Sequence, residues 1–238
     1  MRVALFVTCV NDLAFPQAGI ATVTLLERLG VEVAFPQAQT CCGQMHYNTG
    51  YPDEARPLAE KFARDFAGFD AVVAPSGSCA AFAAHVYPEL APEAAADTPP
   101  VYELTEFLTD VLHVEDAGAY FPHRVVYHPT CHSSRLLNLG ERPLRLLRAV
   151  EGLELAELTG ADECCGFGGT FAMKNPDVST AMGRDKVAHA VESGAQFLSA
   201  VDNSCLMHLS GIAQRGGEPL TTIHLAEILA STRPGVVR

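Results

Sequence analysis

Tryptophan is absent from this chain of 238 residues, and basic residues are scarce. Sixteen Lys and Arg stand against 28 Asp and Glu, which leaves a formal net charge of −12 at pH 7. Nucleic acids and anionic membranes are bound through clusters of Lys and Arg, so this acidic balance argues against both as partners. The lack of tryptophan also removes the largest aromatic platform for stacking bases. We therefore expect no nucleic-acid partner.

Long hydrophobic runs are missing as well. No segment approaches the 18 or more apolar residues of a membrane-spanning helix, so we expect no membrane span. The first residues resemble a signal peptide only weakly, because Asn11 and Asp12 interrupt the apolar run and no small-x-small cleavage site follows. These features predict a cytoplasmic protein. Hydrophobic residues still make up 48% of the chain, which is enough for a buried core and excludes a disordered or collagen-like chain.

The motif Cys-x-x-Cys does not occur, although the chain has eight cysteines. Its absence argues against the usual structural zinc knuckles, the thioredoxin-type redox motif and the c-type haem motif. Disulfide frameworks belong mainly to small secreted domains, so in a cytoplasmic chain cysteines are more often metal ligands or redox groups. The spacing of the eight cysteines therefore carries the functional information.

The cysteines form two sets with nearly the same spacing. The sets are Cys9, Cys41, Cys42 and Cys79, and Cys131, Cys164, Cys165 and Cys205. In each set 31 or 32 residues separate the first cysteine from the adjacent pair, a glycine follows the pair, and 36 or 39 residues separate the pair from the last cysteine. The segments 102–112 and 223–232 are also alike. Unrelated buried thiols would not repeat in this way, so we interpret the chain as a duplication with halves at 1–115 and 116–238.

Strand and helix patterns alternate in the same order in both halves. Predicted strands lie at 3–8, 31–35 and 70–74, and near 124–127, 153–158 and 196–201. Predicted helices cover 17–29 and 53–67, follow Cys79, and begin at Asn175-Pro176. This alternation predicts an α/β fold with two pseudo-symmetric, Rossmann-like halves, each a small parallel sheet flanked by helices. The segment 86–101 is interpreted as a linker before the tail helix of the first half.

Every cysteine follows the carboxyl end of a predicted strand. Loops and helix N-termini converge at that edge of a parallel sheet, so we expect the four thiols of each half to meet at one point. Gly43 and Gly166 permit a positive φ, which lets both sulfurs of an adjacent pair turn toward one ion or cluster. Nearby helix N-termini and loop N–H groups would stabilise thiolates.

Four thiolates suit either an iron–sulfur cluster or a tetrahedral zinc ion. The loop "GFGG", with Gly166, Gly168 and Gly169, is too short for a dinucleotide fingerprint. We interpret it, together with Gly43, as backbone that approaches a cofactor closely.

Candidate polar groups concentrate in the second half. His128, His132 and Arg135 surround Cys131, and His208 lies three residues after Cys205. One interpretation is that such histidines only donate hydrogen bonds to ligand thiolates. The other is catalysis, in which Arg135 holds a carboxylate and a histidine transfers a proton, with His208 as an additional ligand or acid–base group. Near the first-half cysteines the only comparable group is His46, so we expect the chemistry to lie in the second half.

The arrangement resembles the cysteine-rich CCG domain family, which includes the catalytic subunit of heterodisulfide reductase. The segments "TCCGQ", "PSGSCAA", "CCGFGGTF" and "NSCLMH" are more similar to the lactate-utilisation protein A family. That resemblance implies an iron–sulfur oxidoreductase subunit of a multi-protein complex that oxidises L-lactate, a small hydroxy acid, to pyruvate. It also implies 4Fe–4S clusters bound by the eight cysteines, with zinc as a replacement in air, and two partners: a ferredoxin-like iron–sulfur protein and a third subunit.

One feature departs from the heterodisulfide reductase pattern. Ser76 and Asp202 stand where that pattern has the first cysteine of a Cys-x-x-Cys motif. Four thiolates per half remain, enough for a four-iron cluster or for zinc. Two other functions therefore stay open, a thiol–disulfide reductase subunit of the heterodisulfide type and a non-enzymatic Cys₄ zinc scaffold.

Overall fold

The computed structural model describes residues 1–234. It divides into two compact units, Met1–His113 and the chain from Val114 onward. Each unit is built on one parallel sheet with helices packed on it, so the predicted α/β fold with two similar halves is confirmed.

The first unit has a four-stranded sheet in the order β2-β1-β3-β4, with every neighbouring pair parallel. Its strands are β1 (Arg2–Leu5), β2 (Glu32–Ala34), β3 (Ala71–Ala74) and β4 (Val101–Glu103). All four residues of β3 are buried, because helices cover both faces of a parallel sheet. The residues at 71–74 are all apolar because both faces of this strand are buried.

Helices fill the crossovers of the first unit. They are α1 (Cys9–Ala14), α2 (Pro16–Arg28), α3 (Gln44–Asn48), α4 (Pro52–Asp65), α5 (Gly77–His85), α6 (Tyr87–Leu90), α7 (Pro92–Ala96), α8 (Leu104–Glu106) and a π-helical turn at Phe107–Val111. Pro16 and Pro52 occupy first helical positions, where the missing N–H costs nothing. Phe6, Phe62 and Phe66 form an aromatic core between sheet and helix, with ring centroids 4.3–5.5 Å apart.

The second unit repeats this plan in the order β6-β5-β7-β8, again all parallel. Its strands are β5 (Arg124–Tyr127), β6 (Glu154–Ala156), β7 (Phe197–Ala200) and β8 (Thr221–His224). Its helices are α9 (Cys131–Arg135), α10 (Arg142–Ala149), α11 (Thr170–Lys174), α12 (Pro176–Glu192), α13 (Asn203–Gly216) and α14 (Leu225–Ala230). Within residues 1–234, no helix combines the length and apolarity needed to cross a bilayer.

The interpretation of 86–101 as a linker is wrong. Those residues fold into α6 and α7 and reach the start of β4, because Pro88 and Pro92 sit at helix starts instead of breaking a helix. Tyr87 and Leu90 are buried against the unit. The edge strands β4 and β8 were also not predicted, because each runs directly into a helix with no turn between them.

Candidate metal centres

The four first-half cysteines come together at the carboxyl edge of their sheet. Cys9 is the first residue of α1, Cys41 and Cys42 lie in the loop after β2, and Cys79 lies in the first turn of α5. The Sγ atoms of Cys9 and Cys41 are 3.6 Å apart, and those of Cys42 and Cys79 are 3.3 Å apart. All four are free thiols, and only Cys42 is fully buried. The parallel topology thus gathers thiols that are far apart in sequence.

The second half repeats the same contacts. Cys131 begins α9, Cys164 and Cys165 follow β6, and Cys205 lies in the first turn of α13. The thiols of Cys131 and Cys164 are hydrogen-bonded, as are those of Cys165 and Cys205. Cys165 and Cys205 are buried, so this site lies deeper than its first-half counterpart. The structure therefore brings the eight predicted ligands into two groups of four.

A left-handed glycine shapes each adjacent pair of cysteines. Gly43 has φ +88° and Gly166 has φ +89°. The Gly43 N–H donates to Cys41 Sγ and the Gly166 N–H donates to Cys164 Sγ, both at 3.4 Å. Each of these N–H groups favours a thiolate at the sulfur that accepts it.

The thiols of each half differ in acidity. Hydrogen bonds from Cys42 and Cys9, then from the Gly43 N–H, lower the pKa of Cys41. Hydrogen bonds from Cys131 and Cys165 lower the pKa of Cys164 in the same way. The pKa of Cys9 is raised because its thiol donates to Cys41 and is partly desolvated. Each half therefore stabilises one thiolate through its neighbours, and a thiolate is the form that binds metal.

His128 lies beneath the second-half thiols and is only 1% exposed. A ring nitrogen of His128 and the sulfurs of Cys165 and Cys205 lie within 4.8 Å of one another. Among the described residues, neither ring nitrogen has a hydrogen-bond partner. Burial, with a smaller contribution from Lys186, lowers the pKa of His128 to about 4, so the ring is neutral near pH 7.

His132 and Arg135 follow Cys131 on α9, and neither is buried. The Nδ1 atom of His132 is 3.5 Å from Cys131 Sγ, and the side chain is partly exposed. Arg135 ends α9 and is exposed. Residues three apart on a helix lie on neighbouring surface, so the two side chains can contact one small molecule.

His208 is directed elsewhere. Its Nε2 atom lies 3.3 Å from the Ser179 carbonyl oxygen and 3.4 Å from the Ser179 hydroxyl. That hydroxyl donates to the Gly166 carbonyl at 2.7 Å. His208 thus contacts the residue that braces the glycine turn. Gly168 and Gly169, both with positive φ, lead from this turn into α11.

The threonine before each leading cysteine is strained. Thr8 has φ 72° and ψ 153°, and Thr130 has φ 56° and ψ 141°. This region is essentially reserved for glycine and costs about 1–3 kcal/mol for other residues. The same departure at both sites indicates that the turn is required to aim Cys9 and Cys131. Sequence reasoning missed it, because threonine carries no signal for positive φ.

Ser76 contacts the last cysteine of the first half, and Asp202 contacts the residue before the leading cysteine of the second half. The Ser76 hydroxyl accepts a hydrogen bond from the Cys79 backbone N–H at 3.4 Å and caps α5. Thr130 Oγ1 lies 3.3 Å from Asp202 Oδ2 and donates to Ser133 Oγ at 2.8 Å. The two residues that replace a cysteine of the longer motif therefore act in positioning.

Gly166→Ala is expected to lower the free energy of unfolding by about 2–4 kcal/mol, because it adds a clash to an unfavourable φ. A Cβ at this position would lie 2.5 Å from the Ser179 carbonyl oxygen and 2.9 Å from Met182 Cβ. Gly217→Ala is the matched control, since its φ is +71° with an ordinary left-handed ψ of 23° and nothing lies within 4 Å, and it should cost only about 1 kcal/mol. Urea denaturation of the full chain measures both. Equal losses would contradict the assignment of a close approach at Gly166.

Comparison with known proteins supports the duplicated architecture. The chain matches the family described as "Cysteine-rich domain" (CCG) twice, over residues 3–82 and 125–210. It is 48% identical over 235 residues to a protein named Lactate utilization protein A from Geobacillus kaustophilus, covering 96% of this chain and 98% of that protein. The protein of the same name from Geobacillus thermodenitrificans is 49% identical with the same coverage. A hypothetical protein from Helicobacter pylori has a similar fold, with a TM-score of 0.65 and 13% identity over 96% of this chain and 48% of that one.

Proposed function

This chain belongs to the lactate utilization protein A family, and we propose that it is an iron–sulfur redox component of a system that oxidises L-lactate to pyruvate. One observation carries the proposal: the fold gathers four thiols at the same sheet edge twice, with the same glycine turn. Such sites are built to hold a soft metal centre, not to form disulfides. A cytoplasmic location is part of the proposal.

The donor sets fit iron–sulfur clusters. Sulfur ligands select zinc or iron–sulfur centres, and four of them are enough for one 4Fe–4S cluster per half. The buried neutral imidazole beside the second group fits the same kind of centre. When bound, such clusters would transfer single electrons. Zinc is the expected replacement in protein purified in air, because empty Cys₄ sites accept it.

The exposed side of the second-half site suits a small hydroxy acid. Arg135 can bind a carboxylate with two parallel hydrogen bonds, and His132 can accept the hydroxyl proton. Oxidation of lactate to pyruvate releases two electrons and two protons. The O–H and Cα–H bonds of the hydroxy acid break in this step: His132 would accept the hydroxyl proton, the Cα proton would be released to solvent, and the two electrons would go to a ferredoxin-like iron–sulfur partner. A third subunit completes the proposed system.

The two other functions have less support. Relatives at 48% and 49% identity are named for lactate utilisation, which does not favour a heterodisulfide-type reductase. A zinc scaffold would need neither the Arg135 and His132 pair nor the difference in polar residues between the halves.

Anaerobic purification tests the proposal. We expect brown protein with about eight iron atoms and eight acid-labile sulfides per chain, because each half holds about four of each. Lactate should be oxidised only when the partner proteins are added. Colourless protein with about one zinc per half under the same conditions would contradict the proposal and support the scaffold. Cluster-loaded protein that reduces a disulfide but never lactate would support the thiol–disulfide function.

A further inference from the structure

The two halves differ at one buried position beneath the thiols. Aligning the leading cysteines Cys9 and Cys131 places Phe6 opposite His128. Phe6 packs edge-on against Phe62, with ring centroids 5.0 Å apart, and is 1% exposed. The first half therefore fills this place with hydrocarbon, and the second half places an imidazole there.

A second exchange accompanies the first. Aligning α4 and α12 at Pro52 and Pro176 places Phe62 opposite Lys186, whose side chain is buried. The glycine turns support this alignment: a Cβ on Gly43 would meet Ala55 and Leu58, and a Cβ on Gly166 would meet Ser179 and Met182, which are the aligned residues.

The Lys186 ammonium donates to the Gly160 carbonyl. The aromatic pair Phe6 and Phe62 of the first half thus corresponds to the buried polar pair His128 and Lys186 of the second. Among the described residues, Lys186 has a hydrogen-bond partner and the His128 ring has none.

A buried imidazole without a partner is unfavourable, since burial removes its hydrogen bonds to water. Both ring nitrogens of His128 lack a partner among residues 1–234. The sulfurs of Cys165 and Cys205 are soft ligands close to the ring. One ring nitrogen of His128 and these two sulfurs all lie within 4.8 Å of one another. A metal atom bound by those sulfurs is the partner that would satisfy the ring.

We propose that His128 is a nitrogen ligand of the second-half centre, which makes that centre a mixed thiolate–imidazole site while the first-half centre has thiolates alone. The inference rests on the proposed function only in requiring a metal centre at the thiols. The duplicated protein would then hold two centres with different ligand sets.

Pulsed EPR on the full chain tests the ligand directly. The protein is labelled with ¹⁵N-histidine, loaded anaerobically with ferrous iron and sulfide, and reduced. We expect a strong histidine nitrogen coupling to one of the two centres. His128→Phe, which installs the first-half residue, should abolish the coupling. His132→Ala removes the histidine hydrogen-bonded to Cys131 and should leave the coupling in place.

Absence of any strong histidine coupling in the unchanged, cluster-loaded protein would overturn the proposal without requiring a variant to fold. So would a coupling that survives in His128→Phe or disappears in His132→Ala. Circular dichroism checks that each variant is folded.

A cobalt experiment separates this inference from the proposed cluster. If the anaerobic protein holds no iron or sulfide, the proposed cluster fails, and Co²⁺ alone is added to the metal-free chain. A cobalt centre with one nitrogen donor, seen in its visible absorption bands and lost in His128→Phe, would support the ligand assignment. Identical all-sulfur bands for both proteins would overturn it.

Discussion

Cys165→Ser is expected to remove the second-half centre while the first-half centre stays loaded, so that about half of the iron and sulfide is lost. Cys165 is 2% exposed, hydrogen-bonds to Cys164 and Cys205, and lies beside His128. Serine is similar in size, so the substitution leaves little cavity. Its hydroxyl stays protonated near neutral pH, however, and is a poor ligand for a soft metal. Iron and sulfide analysis, with EPR of the reduced protein, measures the loss.

Cys42→Ser is the matched change in the first half, since Cys42 is the buried member of its pair and contacts Cys79. We expect the reverse pattern, with the first-half centre lost and the second-half centre kept. Loss of both centres from either variant would contradict two independent sites. Full retention in either variant would contradict that cysteine as a ligand.

Cys165→Ser and Cys42→Ser should each melt at a lower temperature than the unchanged protein but remain folded at room temperature. Metal binding contributes to folding free energy wherever thiolates must be brought together. Each unit nevertheless has its own apolar core, around Phe6 and Phe66 in the first and around Leu198 and Leu206 in the second.

The elements that position the cysteines could be predicted, because they produce strong patterns. The run at 71–74 is apolar on both faces and indicates a strand covered on both sides. Parallel strands then bring distant loops to one edge, which is why spacing alone placed four thiols together. The edge strands β4 and β8 run directly into helices, so no turn signal marks where they end. Pro88 and Pro92 suggest breaks, although they lie in the first turns of α6 and α7.

The directions of individual side chains within the site could not be predicted from the sequence. His208 is at a spacing that favours the thiols, yet packing of α13 on α12 turns its Nε2 to Ser179. Lys186 is charged and sits in a helix of mixed polarity, so no pattern predicts that it is buried. The strained φ of Thr8 and Thr130 follows from loop closure around the cysteines. These details depend on tertiary packing, which a linear pattern does not contain.

Arg135→Ala and His132→Ala are each expected to reduce lactate turnover by at least about 100-fold while leaving iron and sulfide unchanged. A positioned proton acceptor contributes roughly 10²–10⁴ in rate, and removing a cation that orients a carboxylate has an effect of similar size. Neither side chain is buried, so both truncations should leave the core and all four thiols in place, although His132→Ala removes the 3.5 Å contact with Cys131 Sγ. Arg135→Lys should recover only part of the activity, because an ammonium cannot form two parallel hydrogen bonds to a carboxylate.

The first half supplies matched controls for this pair, because the alignment of Cys9 with Cys131 places Leu13 opposite Arg135 and Val10 opposite His132. Leu13 is 88% exposed, so Leu13→Ala should change turnover less than twofold if the first-half centre only transfers electrons. Turnover is measured with the partner proteins present, and iron and sulfide are measured on the same samples.

An equal loss in Leu13→Ala would indicate that the face around each leading cysteine serves docking of partners. Unchanged turnover in both second-half variants would place the oxidation of the hydroxy acid on another subunit. The difference in polar residues between the halves favours the second half, because a carboxylate and a hydroxyl proton need a cation and a base. In α9, Arg135 is the cation and His132, next to Cys131, is the base, whereas α1 has neither at the aligned positions.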